Sequence, residues 1–165
     1  MIYWFWGYPG IGKDYLAKKF EEIANTFYID GDSFLTKIEK KKLITGTFTK
    51  KDRLKKLKRI SDYLHKLEKD VVITDSLPDK NSREFLLKSF KKNIVFILIK
   101  SSSSKHKKQI QNRKKHFFTS KMLSNYIKNN WEPVGNFPHL TLKNTNKTKV
   151  ELKKELLKIY KKYSN

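Results

Sequence analysis

Apolar residues along the chain fall into two alternating patterns. Ile2-Tyr3-Trp4-Phe5-Trp6, Thr26-Phe27-Tyr28-Ile29, Val71-Val72-Ile73-Thr74-Asp75, Ile94-Val95-Phe96-Ile97-Leu98-Ile99 and Leu140-Thr141-Leu142 are short, nearly continuous apolar runs. Runs of this kind, rich in β-branched and aromatic residues, suit strands covered on both faces. Between them the apolar positions recur at helical spacing. Leu16, Phe20 and Ile23 form one such face, with Lys18, Lys19, Glu21 and Glu22 turned to water. Ser33 to Leu43 is expected to be helical, with Phe34, Ile38 and Leu43 inward and Gly46 closing it. Thr49 opens the next helix with Asp52 as its capping partner, and Leu54, Leu57, Ile60, Leu64 and Leu67 mark its buried face. Pro78 stops the third strand, and Phe85, Leu86 and Phe90 carry the helix that follows. Ser101 to Ser104 reads as a loop and helix cap. Thr148 with Glu151 caps a last helix whose Leu152, Leu156, Ile159, Tyr160 and Tyr163 face the core. Strands that alternate with helices predict a three-layer α/β architecture around a five-stranded parallel sheet with right-handed crossovers. No internal repeat or linker interrupts the pattern, so 1–165 reads as a single domain.

The first strand runs into Gly7-Tyr8-Pro9-Gly10-Ile11-Gly12-Lys13-Asp14, and a helical pattern starts directly after the lysine. In a strand-loop-helix turn of this kind the loop amides and the helix N-terminus favour polyphosphate, with Lys13 as counter-charge. Gly7, Gly12 and Lys13 fit G-x-x-x-x-G-K-[ST] except at the last place, where Asp14 replaces the hydroxyl that normally ligates magnesium. Two readings stand. Either Asp14 ligates the cation as a carboxylate, good chemistry for a hard ion, or it repels the phosphates and marks a weakened site. Asp30-Gly31-Asp32 closes the second strand, at the edge where open α/β sheets keep ligands, although Asp-Gly is also a common turn pair. Asp75 ends the third strand, a place where phosphate-binding proteins of this type often carry a magnesium-directed carboxylate.

Composition narrows the classes. A chain of 165 residues is long enough for one core and short for two. The absence of cysteine excludes disulfides and thiolate chemistry and suits a reducing, cytoplasmic setting. The longest apolar runs are too short to span a bilayer, and the N-terminus lacks the basic leader of a signal peptide. A net charge of +22 attracts polyanions. The excess is mostly lysine spread along every helix, the pattern of an AT-rich codon bias, whereas a nucleic-acid binder more often shows arginine in a local stripe. Lys105 to Lys115 is strongly cationic and includes Arg113. Such a run is usually a solvated face, but its place after the fourth strand also makes it a candidate lid over phosphates.

Together these segments resemble the small P-loop kinases of the gluconate kinase group, relatives of shikimate and adenylylsulfate kinases. The most specific stretch is Arg113-Lys114-Lys115-His116-Phe117-Phe118, followed by Met122-Leu123 and Glu132-Pro133, which is similar to the lid and following segment of gluconate kinases. Asp30-Gly31-Asp32, Gly46 with Asp52-Arg53, and Ser76 with Arg83 add ordered matches. The resemblance implies a nucleoside-monophosphate-kinase-like P-loop NTPase fold with a helical lid, over about 103–130, and transfer of the ATP γ-phosphate to a hydroxyl of a small sugar acid. It implies ATP and Mg2+ as cofactors. Gly7, Tyr8, Pro9, Gly10, Ile11, Gly12, Lys13, Asp14 and Arg113 would hold the nucleotide, with Asp14 and Asp75 on the metal. Lys13, Asp32 and Arg113 would be catalytic, Asp32 by accepting or orienting the hydroxyl proton and Arg113 by neutralising charge during transfer. Asp32, Arg53, Lys80 and Arg83 would bind substrate, the cations gripping its carboxylate. Two departures concern the acceptor: the family's His-Pro pair after Asp-Gly-Asp is missing, and Tyr126 stands where a glutamine is expected. A nucleoside or polynucleotide 5′-hydroxyl acceptor, and a non-catalytic nucleotide- or nucleic-acid-binding protein, remain alternatives; a homodimer is one candidate assembly.

Overall fold

Strands β1 (Ile2–Trp6), β2 (Phe27–Asp30), β3 (Val71–Asp75), β4 (Ile94–Lys100) and β5 (Leu140–Lys143) form one sheet in the order β2-β3-β1-β4-β5. Every pairing is parallel. A computed structural model describes residues 1–106, 120–145 and 147–164, with side chains from 124 onward in the second stretch. Alternation along the strands divides their side chains between two cores. Trp4, Trp6, Ile73, Phe96 and Leu98 face helices α3 (Lys50–Leu64) and α4 (Lys80–Phe90) through Leu57, Ile60, Leu64 and Leu86. Tyr3, Phe5, Val72, Val95 and Ile97 face α1 (Lys13–Ala24) and the last helix through Leu16, Phe20, Leu152 and Leu156. The three-layer expectation holds, because strands apolar on both faces leave no face for water.

Helix starts follow their caps. Thr49 with Asp52 and Thr148 with Glu151 each form a reciprocal capping box, as expected from their spacing. The helix expected over Ser33 to Leu43 is corrected. Gly31–Phe34 is a 3-10 turn fastened by the Asp30 carboxylate, which accepts from the Asp32 amide, and by Ser33 Oγ, which donates to the Asp30 carbonyl. Helix α2 (Lys37–Thr45) starts only behind Thr36, which forms its own capping box with Glu39. The later start turns Ile38 outward, 71% exposed, and buries Leu35 instead. Gly46 ends α2 as its left-handed cap. The remaining helices are α5 (Ser120–Asn130) and α6 (Lys149–Tyr163). Among the described residues no helix is long and apolar enough to cross a membrane.

Candidate functional site

Strand register decides what meets at the upper edge of the sheet. Trp6 lies opposite Asp75, and Asp30 opposite Thr74. The loop after β1, the turn after β2 and the end of β3 therefore open at one level, where ligands of open α/β sheets collect. Two glycines make the approach close enough. A Cβ on Gly7, which adopts φ 148°, would stand 2.7 Å from the Ile99 carbonyl oxygen, and one on Gly31 would stand 2.5 Å from that of Thr74. Neither position accepts a side chain without displacing backbone.

The loop from Gly7 to Gly12 takes positive φ at Gly10 and Gly12 and delivers the chain into α1 at Lys13. The amides of Gly10, Gly12 and Asp14 donate to no group among the described residues. Together with the helix N-terminus they provide the donor set a phosphate needs. Lys13 is nearly buried, and its Nζ donates to the Tyr8 carbonyl at 3.3 Å. The loop is held from outside: Asn144 Nδ2 donates to the Ile11 carbonyl at 3.1 Å, His106 Nε2 to that of Pro9 at 2.9 Å, and Tyr8 stacks on His106. The Ile11 side chain packs into the core.

Beside Lys13 lies a cavity of about 240 Å3. At about 30 Å3 per water this is the volume of roughly eight waters. Lys13, Arg53 and Lys56 line it against Asp14, Asp30, Asp32 and Asp75, with Leu35, Leu43, Phe48 and Tyr126 as the less polar wall. Burial pushes the Asp30 carboxyl up, and the nearby Asp32 and Asp14 carboxylates add to this against the Asp32 amide. Burial likewise raises the Tyr28 phenol to about 12, with its Thr74 hydrogen bond opposing and Asp14 and Asp30 adding.

Lys13, Asp14, Asp32, Arg53 and Asp75 are thus brought together. Arg53 is 2% exposed; its Nη1 donates to Asp79 at 2.6 Å, its Nη2 to Tyr126 Oη at 3.3 Å and Asn130 Oδ1 at 3.2 Å, and Phe48 lies under the guanidinium. Lys80 and Arg83 are not among them. Lys80 sits at the start of α4 with its ammonium exposed beside Glu84. Arg83 is buried away from the cavity, over the Trp6 ring, and donates to the carbonyls of Leu77, Pro78, Glu132 and Pro133. It fastens the start of α4 to the segment after α5 and does not line the cavity where a grip on substrate was expected. Arg113 and His116 lie outside the described residues.

Lys56 is the residue that sequence reasoning missed. It is 4% exposed, and its Nζ donates to Asp75 Oδ1 at 2.8 Å and to Asp32 Oδ1 at 3.5 Å. Burial alone would lower its ammonium, but Asp75 and Asp32 outweigh that and hold it above its ordinary value. Burial pushes the Asp75 carboxyl up while Lys56 opposes it. The signal was present, because Arg53, Lys56, Leu57, Ile60 and Leu64 follow one helical stripe; the lysine-rich background hid it.

The residues present fit a magnesium ion that arrives with a nucleotide. Asp75 Oδ2 is buried and has no hydrogen-bond partner among the described residues, and Asp14 opens on the same cavity. No cluster of three or more protein ligands exists among the described residues. Magnesium held by one or two carboxylates, with phosphate oxygens and water completing its shell, needs none.

No protein-family model matches the chain, and no curated relative matches it by sequence. Solved structures do match in shape. A gluconokinase from Sinorhizobium meliloti 1021 aligns with a TM-score of 0.80 at 22% identity over 97% of this chain and 91% of its own. A sugar kinase from Janibacter sp. HTCC2649 gives 0.77 at 15% identity over 99% and 93%, and a shikimate kinase from Aquifex aeolicus 0.65 at 16% over 98% and 96%. The fold is therefore the three-layer P-loop NTPase fold of the nucleoside-monophosphate-kinase type.

Proposed function

We propose that the chain is an ATP-dependent kinase that transfers the γ-phosphate to a hydroxyl of a small hydroxy acid of the sugar-acid type. One observation carries this reading: a single metabolite-sized cavity is lined both by Pro9, Lys13 and Asp14 of the loop and helix start after β1 and by Asp32 and Arg53. A nucleotide-binding module would need only the residues after β1. The similarity in shape to a gluconokinase and a shikimate kinase supports the same reading.

Lys13 and the amides of Gly10 and Gly12 bind the β and γ phosphates, and the positive field of the chain draws the nucleotide in. Asp14 and Asp75 are the residues that would hold magnesium, which supplies charge neutralisation between the phosphates. Arg53 grips the acceptor carboxylate through its remaining guanidinium protons. Asp32 accepts the acceptor hydroxyl proton as the new O–P bond forms and the bond between the β and γ phosphates breaks. The enzyme works in a reducing cytosol.

Coupled ADP release over a panel of sugar acids, shikimate, nucleosides and a 5′-hydroxyl oligonucleotide tests the reading. Turnover with a carboxylate-bearing sugar and none with the oligonucleotide is expected. Turnover confined to nucleosides or the oligonucleotide would remove the sugar-acid assignment.

A further inference from the structure

Lys56 poses a physical question that the fold does not answer. Its neighbours on the same stripe, Leu57 and Ile60, fill their space with hydrocarbon, and taking an ammonium out of water costs several kcal/mol unless partners compensate. Both partners compensate at a particular spot: Asp75 at the metal-directed end of β3 and Asp32 at the acceptor wall. Asp75 Oδ1 accepts from Lys56 and also from the Ser76 amide at 2.7 Å. A cation approaching Asp75 meets a carboxylate that already has a positive partner, with only Oδ2 open. Asp14 is the reverse case. It stands at the first turn of α1, exposed to the cavity, with no ion-pair partner among the described residues.

The geometry points to an exchange of roles, and it rests on the kinase reading above. We infer that Lys56 is a positioning residue, a resident cation that ties Asp75 to Asp32, and that Asp14 is the principal ligand of the divalent cation carried by the nucleotide. The missing P-loop hydroxyl and the buried lysine then compensate one another. A hydroxyl is a weak ligand that relies on an unneutralised carboxylate at the end of β3; with that carboxylate paired to Lys56, a carboxylate at position 14 restores the negative charge the metal requires. Lys56 also holds Asp32 beside the cavity, which links metal and acceptor sites through one ammonium.

Calorimetric titration of ATP with and without Mg2+ tests this without any turnover. For the intact chain Mg2+ should tighten ATP binding. In Asp14→Asn that gain should fall by about tenfold, and in Asp75→Asn by about twofold at most, the former being the usual order for loss of a metal-directed group. Lys56→Met frees Asp75, so the double variant Asp14→Asn with Lys56→Met should regain a Mg2+ response that Asp14→Asn alone lacks, and Lys56→Arg should behave as the native chain. Melting curves establish which variants fold; if Lys56→Met does not, the contrast between Asp14→Asn and Asp75→Asn decides alone. A Mg2+ gain abolished by Asp75→Asn and kept by Asp14→Asn would overturn the exchange while leaving the kinase reading in place. ATP that fails to bind under either condition would overturn both.

Discussion

Helices α3 and α4 cover the same face of the sheet, and each buries an arginine, yet the two arginines do different things. Arg83 on α4 ends in backbone carbonyls from two segments, which accept from both of its Nη atoms, while its buried Nε has no partner among the described residues. Arg53 on α3 shares the cavity with Lys56, and the acceptors around them include carboxylates that retain open atoms and side chains from an opposite wall. Burial of charge is therefore no mark of a site by itself. A site is where the partners of the buried charge themselves line a cavity, as Tyr126, Asp75 and Asp32 do around Arg53 and Lys56.

Substitutions sharpen that contrast. The largest effect is expected at Asp32, the partner Lys56 holds on the cavity wall: Asp32→Asn should lower kcat by about 10²–10⁴-fold, the range of a general base, with little change in melting temperature because the side chain is half exposed. Next come the matched exchanges. Arg83→Lys cannot reach all four carbonyls and should cost about 2–3 kcal/mol in denaturant unfolding, with KM for the acceptor unchanged. Arg53→Lys keeps a charge for Asp79 but loses the fork, and should raise acceptor KM about tenfold; an equal KM rise in Arg83→Lys would erase the distinction between the helices. Thr49→Ala removes the α3 cap and should cost about 1 kcal/mol with kinetics intact.

The smallest effect is a pH dependence. The Lys42 ammonium, with the Thr49 amide and hydroxyl, holds the Asp52 carboxyl well below the usual carboxylate range. A depressed folded value means stability that is present above the unfolded value, near pH 4, and lost as pH falls through the folded one. Unfolding curves below pH 4 should therefore be shallower in pH for Asp52→Asn than for the native chain, while exchanges on α4 leave that slope alone.

The strands and most helix starts were legible because they rest on local signals: uninterrupted apolar runs, and Thr-x-x-Asp or Thr-x-x-Glu boxes. The α2 start was legible too, in Thr36 and Glu39, but Phe34 and Ile38 at helical spacing masked it. The turn from β1 through the glycines into α1 was legible, since glycines, lysine and their order carry its geometry. The acceptor side could be read only in part. Arg53 and Arg83 are alike in sequence, each an arginine on the buried face of an amphipathic helix, and what separates them is where α5 and the chain after it return, a long-range contact that periodicity does not encode. Lys56 fell on a buried stripe, but one lysine among so many carried no weight until its two carboxylates, from β3 and from the turn after β2, stood beside it.

Everything at the cavity depends on the loop after β1 holding a triphosphate. Calorimetric titration of ATP with Mg2+ into the native chain and into Lys13→Met measures that directly. One-site binding that weakens by about tenfold or more on loss of the Lys13 charge, in line with a charge-assisted phosphate contact, is predicted. No heat of binding to the native chain, or equal affinity in the Lys13→Met variant, would contradict it.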